Sequence, residues 1–229
     1  MKAMILAAGE GRRMRPLTLS KPKPLLPVAG KPLIEYHLQR LQQAGFRELV
    51  VNHAWLGEQL VSFLADSRRE GLKISLSAET QALETAGGIC KALPLLADAG
   101  ESFVVVNGDV FTNYPFTQLR PLPAGKLAHL ILVENPAHNP QGDFNLSAGM
   151  LNDNSGPRYT FSGISVLSPQ LFAGLNAGEP AALGPLLRRA IAAGQVSGEY
   201  FDGFWTDVGT PQRLAEVEQM VLENRIDGV

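Results

Sequence analysis

Residues 1–27, MKAMILAAGEGRRMRPLTLSKPKPLLP, decide how the chain folds. The apolar run Met4–Ala8 is short and uninterrupted and stops at Gly9, which predicts a strand buried on both faces that opens into a glycine loop. Ligands of parallel sheets bind just beyond the carboxyl ends of the strands. The sequence therefore predicts a ligand-binding loop at residues 9–15, directly after the first strand.

Outward from this stretch, further apolar runs alternate with helical patterns as far as about residue 110. Strands that alternate with helices form right-handed βαβ crossovers and a mostly parallel sheet. The sequence therefore predicts an α/β fold. The predicted strands are Glu48–Asn52, Lys73–Ser77, Phe103–Asn107 and Leu127–Val133, and the predicted helices begin at Pro32, Glu58 and Thr85 and end before Gly45, at Ala65 and at Leu93, where Pro94 limits the last one.

The pattern changes after Leu127. Two shorter runs, Phe144–Leu151 and Phe161–Leu167, are separated by a polar turn at residues 152–157, which is typical of an antiparallel insertion. From about residue 181 to the C-terminal helix, helical and strand patterns again alternate. We expect a single domain, with a nucleotide-binding part at about residues 1–126 and a second part, with the insertion and the closing helices, at about residues 127–229.

The charge of the chain is unevenly distributed. The net charge is −2, which excludes a surface coated with basic residues for nucleic acid. Residues 1–31 nevertheless carry seven cations and a single anion, Glu10, so the rest of the chain is acidic. An anionic ligand is therefore expected near the N-terminus.

The single cysteine, Cys90, allows no internal disulfide, which favours a reducing cytoplasm. The first apolar run is short and is followed by charged residues, unlike a secretory signal. Apolar runs elsewhere also fall short of the ~18 residues that span a bilayer. We expect a cytoplasmic protein with no membrane partner.

The loop after the first strand has the composition of a phosphate-binding loop. Gly9 and Gly11 allow a tight turn whose N–H groups point at an anion, and the guanidinium groups of Arg12, Arg13 and Arg15 match phosphate oxygens. A solvated surface turn would explain a bare Gly-x-Gly, but three arginines favour phosphate. The loop lacks the Gly-Lys-Ser/Thr of a Walker motif and the third glycine of a dinucleotide fingerprint.

The segment after this loop carries a lysine between prolines. Pro22 and Pro24 stiffen an extended segment around Lys23. A stiff segment can aim a lysine at a ligand, although a plain connecting loop has the same spacing. The spacing alone does not decide between a lysine aimed at a ligand and a connecting loop with an exposed lysine.

Two aspartates follow short predicted strands. Asp109 comes after the most apolar strand, and Asp207 lies in Trp-Thr-Asp-Val-Gly-Thr. A single aspartate in such a place is commonly a turn residue or a helix cap. If the two converge, they suit Mg²⁺, which takes few protein carboxylates and completes its coordination with water and substrate phosphates.

Together these elements resemble the sugar-nucleotide pyrophosphorylases, nucleotidyltransferases that join a nucleoside triphosphate to a sugar 1-phosphate. The family's glycine loop, Pro-Leu-Thr and Pro-Lys-Pro-Leu-Leu-Pro stand here at Leu6–Met14, Pro16–Thr18 and Pro22–Pro27, and Trp-x-Asp-x-Gly-Thr extends the resemblance to Thr210. The resemblance implies a Rossmann-like three-layer α/β/α sandwich with a mostly parallel mixed sheet. It also implies a small inserted antiparallel sheet for the sugar, and we expect no β-helix domain.

The resemblance implies a role for each matched residue. By position, Arg13 corresponds to the arginine on the triphosphate and Lys23 to the lysine on the reacting phosphate. Asp109 and Asp207 correspond to the Mg²⁺ pair. The backbone that meets the base and ribose corresponds to Leu6, Ala8 and Gly9.

Within the family, three stretches are similar to a subgroup of uridylyltransferases that use UTP and N-acetylmuramic acid 1-phosphate in bacterial cell-wall recycling. They are Asn52–Glu58, Glu84–Ile89 and Val106–Val110. Two alternatives stay open: a mannose 1-phosphate guanylyltransferase, and a non-catalytic nucleotide-sugar sensor on the same fold. The chain has no hexapeptide-repeat region of the kind through which many relatives trimerise, so we expect a monomer.

The base-reading segment departs from the family pattern. The usual Gly-Thr-Ala is Glu84-Thr85-Ala86 here, and the usual upstream glutamine corresponds to Glu79 or Gln81. A carboxylate accepts from uracil N3–H, but equally from guanine N1–H and N2–H. Base specificity therefore rests on the resemblance to the subgroup.

The sugar side departs as well. The Glu-Lys-Pro that many relatives use on the sugar and its phosphate has no clear counterpart between Gly142 and Phe161. Arg158 is the cation in that stretch and is a candidate for neutralising the sugar phosphate. Asn107 and Gly142 are candidate sugar contacts by position.

Overall fold

The computed structural model describes residues 1–66, 69–97, 100–152 and 156–227. As far as residue 107, strands alternate with helices, as the sequence pattern predicts, and several consecutive strands follow before the next α-helix. The helices are α1 (Leu33–Gln43), α2 (Gly57–Asp66), α3 (Glu84–Leu96), α4 (Leu183–Ala192) and α5 (Pro211–Leu222). The strands are β1 (Ala3–Leu6), β2 (Pro27–Val28), β3 (Lys31–Pro32), β4 (Glu48–His53), β5 (Lys73–Ala78), β6 (Phe103–Asn107), β7 (Val110–Thr112), β8 (Ala128–Val133), β9 (Phe144–Ser147), β10 (Met150–Asn152), β11 (Arg158–Leu167), β12 (Val196–Tyr200) and β13 (Trp205–Asp207).

Four parallel strands, in the order β5-β4-β1-β6, form one half of the main sheet. β1 is central in this half and is paired on both sides. Leu6 at its end lies opposite Asn52 of β4 and Asn107 of β6. Because parallel strands end at the same edge, the residues that follow them form one crevice, as the sequence predicts.

Beyond β6 the sheet becomes mixed. β11 runs antiparallel to β6 and β8, and β12 runs parallel to β8 and antiparallel to β10. β9 pairs with both β10 and the start of β11, so these strands close into a ring, and an irregularity between Phe161 and Ser165 bends β11 where the ring leaves the main sheet. The strands predicted as an insertion are therefore continuous with the main sheet.

Alternate residues of β1 face opposite helical layers. Ala3 and Ile5 lie in the cluster that contains the apolar faces of α1 and α2, whereas Met4 lies in the cluster with α3 and α4. All three side chains are fully buried. The prediction of a strand buried on both faces, inside an α/β/α sandwich, is confirmed.

A third apolar cluster lies under the loops at the crevice. It joins Met14 of the glycine loop, Leu26 of the proline-rich segment, Val208 after β13 and Leu214 of α5. α5 therefore anchors three segments that the sequence selects as candidate site elements. Their relative positions are fixed by packing.

Helix α3 extends beyond the limit predicted at Pro94. Pro94 lies inside α3, which ends at Leu96. A proline lacks the N–H that bonds the carbonyl four residues earlier, but in the last turn this costs a single bond. Leu96 is buried in the core with α4, and this burial offsets the loss.

The polar turn predicted at residues 152–157 includes residues 153–155, which lie outside the described residues. Within the described ranges, every helix is too short or too polar to span a bilayer.

Candidate active site

A cavity of about 460 Å³ lies at the carboxyl ends of β1, β4 and β6. Most of the residues that the sequence selects for the nucleotide contribute to its wall. The lining consists of Leu6, Ala7, Ala8, Gly9, Gly11, Arg12, Arg13, Met14, Lys23, Pro24, Asn52, Glu79, Ala82, Leu83, Glu84, Thr85, Asn107, Gly108, Asp109 and Gly209.

The glycine loop is held in place by hydrogen bonds from outside it. Asn52 Oδ1 accepts from the Ala7 N–H at 2.8 Å, and the Thr18 hydroxyl donates to the Gly11 carbonyl at 2.9 Å. Gly11 has φ 62°, and a side chain there would collide with Thr18, so glycine is required. The Trp55 indole donates to the Thr18 carbonyl at 2.9 Å. The loop is therefore preorganised, with Arg13 exposed at the cavity.

Lys23 contacts Asp109 directly. Its Nζ donates to Asp109 Oδ2 at 2.7 Å, and the lysine side chain is only 13% exposed. Lys23–Leu25 form a short 3₁₀ turn where the sequence predicts an extended segment, and Pro24 and Leu25 are buried within it. The proline-rich segment therefore packs firmly and aims the lysine inward. A mostly buried ammonium is therefore available for a phosphate oxygen.

The two aspartates are brought together by pairing of β7 with β13. Asp207 lies opposite Val110, and the Val208 N–H donates to the Asp109 carbonyl at 2.7 Å. The Asp207 carboxylate binds the Arg213 guanidinium and lies 3.0 Å from His138 Nε2. Asp109 lines the cavity, and Asp207 Oδ2 lies beside Gly209, another residue of its wall. Carboxylate oxygens are the hard ligands that Mg²⁺ prefers.

Of the two candidates for reading the base, only Glu79 faces the cavity in the part of the chain that the structure describes. Glu79 is 8% exposed, and its Oε1 accepts from Asn52 Nδ2 at 2.6 Å. A Cβ on Gly88 would lie 2.6 Å from that oxygen, so the glycine makes room for the carboxylate. Gln81 is exposed and donates to the Gly178 carbonyl at 3.2 Å.

Glu84, which replaces the family's glycine, lies in the cavity wall with φ 56°. Few residues other than glycine adopt this left-handed conformation. The backbone at this position therefore keeps the shape that suits glycine, with a carboxylate added to it.

The three candidate sugar contacts are not brought together. Asn107 lines the cavity and lies against Gly163 in the irregular part of β11. Gly142 instead faces Asn135 and the backbone of Arg158, and neither Gly142 nor Arg158 belongs to the cavity wall. The positions of Gly142 and Arg158 thus give no direct support for contact with a ligand in this cavity.

His37 lies behind the turn that carries Asp109. The side chain is buried, and burial, followed by the nearby Arg40 charge, lowers its pKa to about 4. Asp109 and the backbone at Gly108 and Val110 oppose this shift. His37 is therefore neutral near pH 7 and adds no charge to the site.

Three residues of the site are missed by the sequence reasoning. Asn52 ends a predicted strand, so the rule that selects Asp109 would also have found it. Arg213 and His138 are 75 residues apart in the chain, and no local pattern links them.

Comparison with known proteins gives the following similarities. The family described as nucleotidyl transferase matches residues 2–142. The chain is 53% identical over 228 residues to the N-acetylmuramate alpha-1-phosphate uridylyltransferase of Neisseria meningitidis, covering 96% of this chain and 98% of the relative. It is 32% identical to the mannose-1-phosphate guanylyltransferase catalytic subunit beta of Danio rerio, covering 98% of this chain and 65% of the relative.

Solved structures agree on the fold. A putative glucose-1-phosphate thymidylyltransferase from Bacillus anthracis superimposes with a TM-score of 0.81 at 20% identity, covering 96% of this chain and 94% of that one. The inositol-1-phosphate CTP transferase from T. maritima superimposes with a TM-score of 0.76 at 18% identity, covering 100% of this chain and 97% of that one. At these identities the likeness concerns the fold alone.

Proposed function

The chain belongs to the nucleotidyl transferase family, and we propose that it transfers UMP from UTP to N-acetylmuramic acid 1-phosphate, releasing pyrophosphate. The observation that carries the proposal is the 53% identity to a uridylyltransferase of that specificity over nearly all of both chains. The product, UDP-N-acetylmuramic acid, would serve peptidoglycan recycling in the cytoplasm. The cavity supports the proposal because its wall combines a glycine loop, arginines, a lysine and the Asp109 carboxylate, with Asp207 beside the wall residue Gly209.

The reaction is an in-line displacement on phosphorus. A phosphate monoester has a second pKa of ~6, so the sugar phosphate oxygen is already ionised near pH 7 and needs no general base. The chain's task is then to align two anions and to neutralise their charge. The new bond joins the sugar phosphate oxygen to the α-phosphorus, and pyrophosphate leaves with the electrons of the broken bond.

Two cations on the nucleotide side have separate tasks. Arg13, on the exposed side of the preorganised loop, holds the β- and γ-phosphates. Lys23 neutralises charge that develops on the α-phosphoryl oxygens, and its contact with Asp109 keeps it inside the cavity before substrate binds. The backbone of Leu6, Ala8 and Gly9 faces the ribose and base, and Gly11 completes the turn that binds the phosphates.

Asp109 and Asp207 are the residues that would hold Mg²⁺. A divalent cation held there would supply positive charge against the negative charge of the phosphates. The carboxylates are paired with Lys23 and Arg213 in this structure, so they are already oriented toward positive charge.

Glu79 gives the site a means to recognise uracil. Its Oε1 is bonded to Asn52, which leaves Oε2 to accept from uracil N3–H. The same oxygen also accepts from guanine, so the size of the cavity must contribute to the choice of base. We assign base binding to about residues 1–126 and sugar binding to about residues 127–229, in a chain that acts as a monomer.

A second candidate is a mannose 1-phosphate guanylyltransferase. It is supported by the 32% identity to the Danio rerio protein across 98% of this chain. The chain spans only 65% of that relative, whereas it spans 98% of the uridylyltransferase. The proposal therefore favours uridine.

A matrix of substrates tests the proposal. Purified protein is assayed for pyrophosphate release with each of the four ribonucleoside triphosphates against N-acetylmuramic acid, N-acetylglucosamine, glucose and mannose 1-phosphates, with Mg²⁺. The expected result is the highest kcat/KM for UTP with N-acetylmuramic acid 1-phosphate. A preference for GTP with mannose 1-phosphate supports the second candidate, and no turnover with any pair supports a non-catalytic sensor.

A further inference from the structure

Arg213 and His138 meet at Asp207, and the proposed function gives neither of them a task. Arg213 Nη1 donates to Asp207 Oδ1, and His138 Nε2 lies 3.0 Å from the same oxygen and 3.2 Å from Arg213 Nη1. We propose that Arg213, positioned by His138, binds the phosphate of the sugar 1-phosphate. This inference rests on the proposed function and adds the residue that recognises its second substrate.

The path of the Arg213 side chain depends on a glycine. Arg213 lies in the first turn of α5, and its side chain passes over Gly209. A Cβ on Gly209 would lie 2.5 Å from Arg213 Nη2, 2.9 Å from Asp207 Oδ2 and 3.2 Å from Arg13 Nη2. Because Gly209 leaves this space open, both guanidinium groups reach the same point beside Asp207. Gly209 also lines the cavity at the carboxyl ends of β1, β4 and β6. This point therefore adjoins the place where we propose that the substrates meet.

His138 belongs to the loop between β8 and β9, within the part assigned to the sugar. The loop is held by side chains: Asn139 Nδ2 contacts Asp143 Oδ1 at 3.2 Å and Thr160 Oγ1 at 3.1 Å, and Thr160 donates to Asn135 at 2.9 Å. His138 thus comes from a fixed segment. Arg213 accordingly lies between Arg13 of the nucleotide loop and His138 of the sugar loop.

The charges around Asp207 favour an additional anion. Lys23 and Asp109 neutralise each other, whereas Asp207 has two guanidinium groups beside it. The side chains of Arg213 and Asp207 are only 16% and 18% exposed, so solvent compensates little of the excess positive charge. If Asp207 ligates a divalent cation, its negative charge is shared with that cation and neutralises less of the positive charge of Arg213. A dianionic phosphate restores the balance and offers the paired oxygens that a guanidinium binds best.

Two other roles are distinguishable from this one. In one of them Arg213 joins Arg13 on the triphosphate, since both reach Gly209. In the other it serves only as a structural partner of Asp207. Its contact with His138 on the sugar loop favours the sugar phosphate. The three roles predict different effects on the two Michaelis constants.

The test uses Arg213→Gln and Arg213→Lys, with Arg188→Gln, an exposed arginine of α4, as the control. For Arg213→Gln we expect the KM for the sugar 1-phosphate to rise roughly 10- to 100-fold, as loss of a charge-assisted bidentate contact would cause, while the KM for the triphosphate changes less than about threefold. Arg213→Lys should recover part of the loss, because the charge remains but the paired geometry does not. The control should match the wild type.

A larger rise in the KM for the triphosphate than for the sugar phosphate would overturn the proposal and assign Arg213 to the triphosphate. Unchanged Michaelis constants with a lower kcat or lower stability would overturn it in favour of a structural role. His138→Ala provides a second variant that keeps Arg213 in the chain, and it should raise the sugar phosphate KM by a smaller factor.

Calorimetry separates failure of this proposal from failure of the proposed function. Wild-type protein and Arg213→Gln are titrated with N-acetylmuramic acid 1-phosphate and with N-acetylmuramic acid. If Arg213 binds the phosphate, the wild type prefers the phosphorylated sugar and the variant loses most of that preference. If the wild type turns over a different pair, the proposed function fails, and the same titration with the preferred sugar still decides the role of Arg213.

Discussion

The two sides of the site that we propose for the nucleotide and for the sugar are built in different ways. On the nucleotide side, Arg13 and Asp109 follow β1 and β6 of the parallel sheet, and Lys23 lies in a proline-rich turn within the connection from β1 to α1. On the sugar side, Asp207, Arg213 and His138 converge from a short strand, a helix and an inserted loop. A parallel sheet gathers strand-end residues automatically, whereas the sugar side depends on long-range packing.

The difference extends to the sheet itself. In the first part, β1 has a parallel neighbour on each side, and its ends are fixed by register. In the second part, β11 leaves the sheet at an irregularity and closes a ring with β9. The ring positions the loop that carries His138. We therefore expect variants of the nucleotide side to affect the triphosphate or the chemical step, and variants of Arg213 and His138 to affect the sugar phosphate. Asp207 differs from its two neighbours, because we propose that it holds the divalent cation.

The largest effect is expected for Lys23→Ala. We propose that this mostly buried, preorganised cation stabilises the reacting phosphoryl group, so its loss should lower kcat by roughly 10²- to 10³-fold. Pyrophosphate release at saturating substrates measures it, and circular dichroism checks the fold. Lys21→Ala, an exposed lysine two residues away, is the matched control. A kcat near the wild-type value would remove Lys23 from the reaction.

Asp207→Asn should weaken binding of the divalent cation. Loss of a residue that only supports a metal ligand lowers metal affinity by about 10- to 100-fold, so loss of a ligand should lower it at least as much. The measurement is Mn²⁺ binding by electron paramagnetic resonance without substrates, together with the Mg²⁺ dependence of the rate. Asp202→Asn, an exposed carboxylate of the same region, controls for net charge. Equal Mn²⁺ affinity in the two variants would contradict the assignment of Asp207.

Glu79→Gln should raise the KM for UTP by about tenfold and leave the KM for the sugar phosphate unchanged. A charged acceptor forms a hydrogen bond about twice as strong as a neutral one, and about 1.4 kcal/mol corresponds to a factor of ten. Initial rates at varied UTP concentration measure the effect, with Glu58→Gln, an exposed carboxylate of α2, as the control. If the sugar phosphate KM changes instead, Glu79 does not read the base.

The smallest effect is expected for Thr210→Ala. Thr210 caps α5, and its hydroxyl oxygen accepts from the Arg213 N–H at 3.3 Å. Removing the cap should cost about 1 kcal/mol of unfolding free energy, measured by urea denaturation, and Thr210→Ser should retain most of it. Equal stability of the alanine variant and the wild type would show that the cap contributes nothing to the anchoring of α5.

The same contrast explains what the sequence could predict. The fold class and the crevice at the ends of β1 and β6 follow from the apolar runs and their order, because parallel strands joined by crossovers end at the same edge of the sheet. The sequence leaves the choice between Glu79 and Gln81 open, because the choice depends on which side chain turns inward under Gly88. Arg213 and His138 have no local signal, since their meeting requires a ring of strands and a helix to pack first. The roles assigned to Gly142 and Arg158 by position stay predictions.

Uridylyl transfer to N-acetylmuramic acid 1-phosphate is tested most directly by ³¹P nuclear magnetic resonance of one reaction with wild-type protein. UTP, Mg²⁺ and N-acetylmuramic acid 1-phosphate are mixed with enzyme, and a parallel sample contains GTP and mannose 1-phosphate. We expect the first sample to convert to a diphosphate-linked sugar nucleotide and pyrophosphate in equal amounts, and the second to react far more slowly. Consumption of GTP and mannose 1-phosphate with no reaction in the first sample would contradict this expectation.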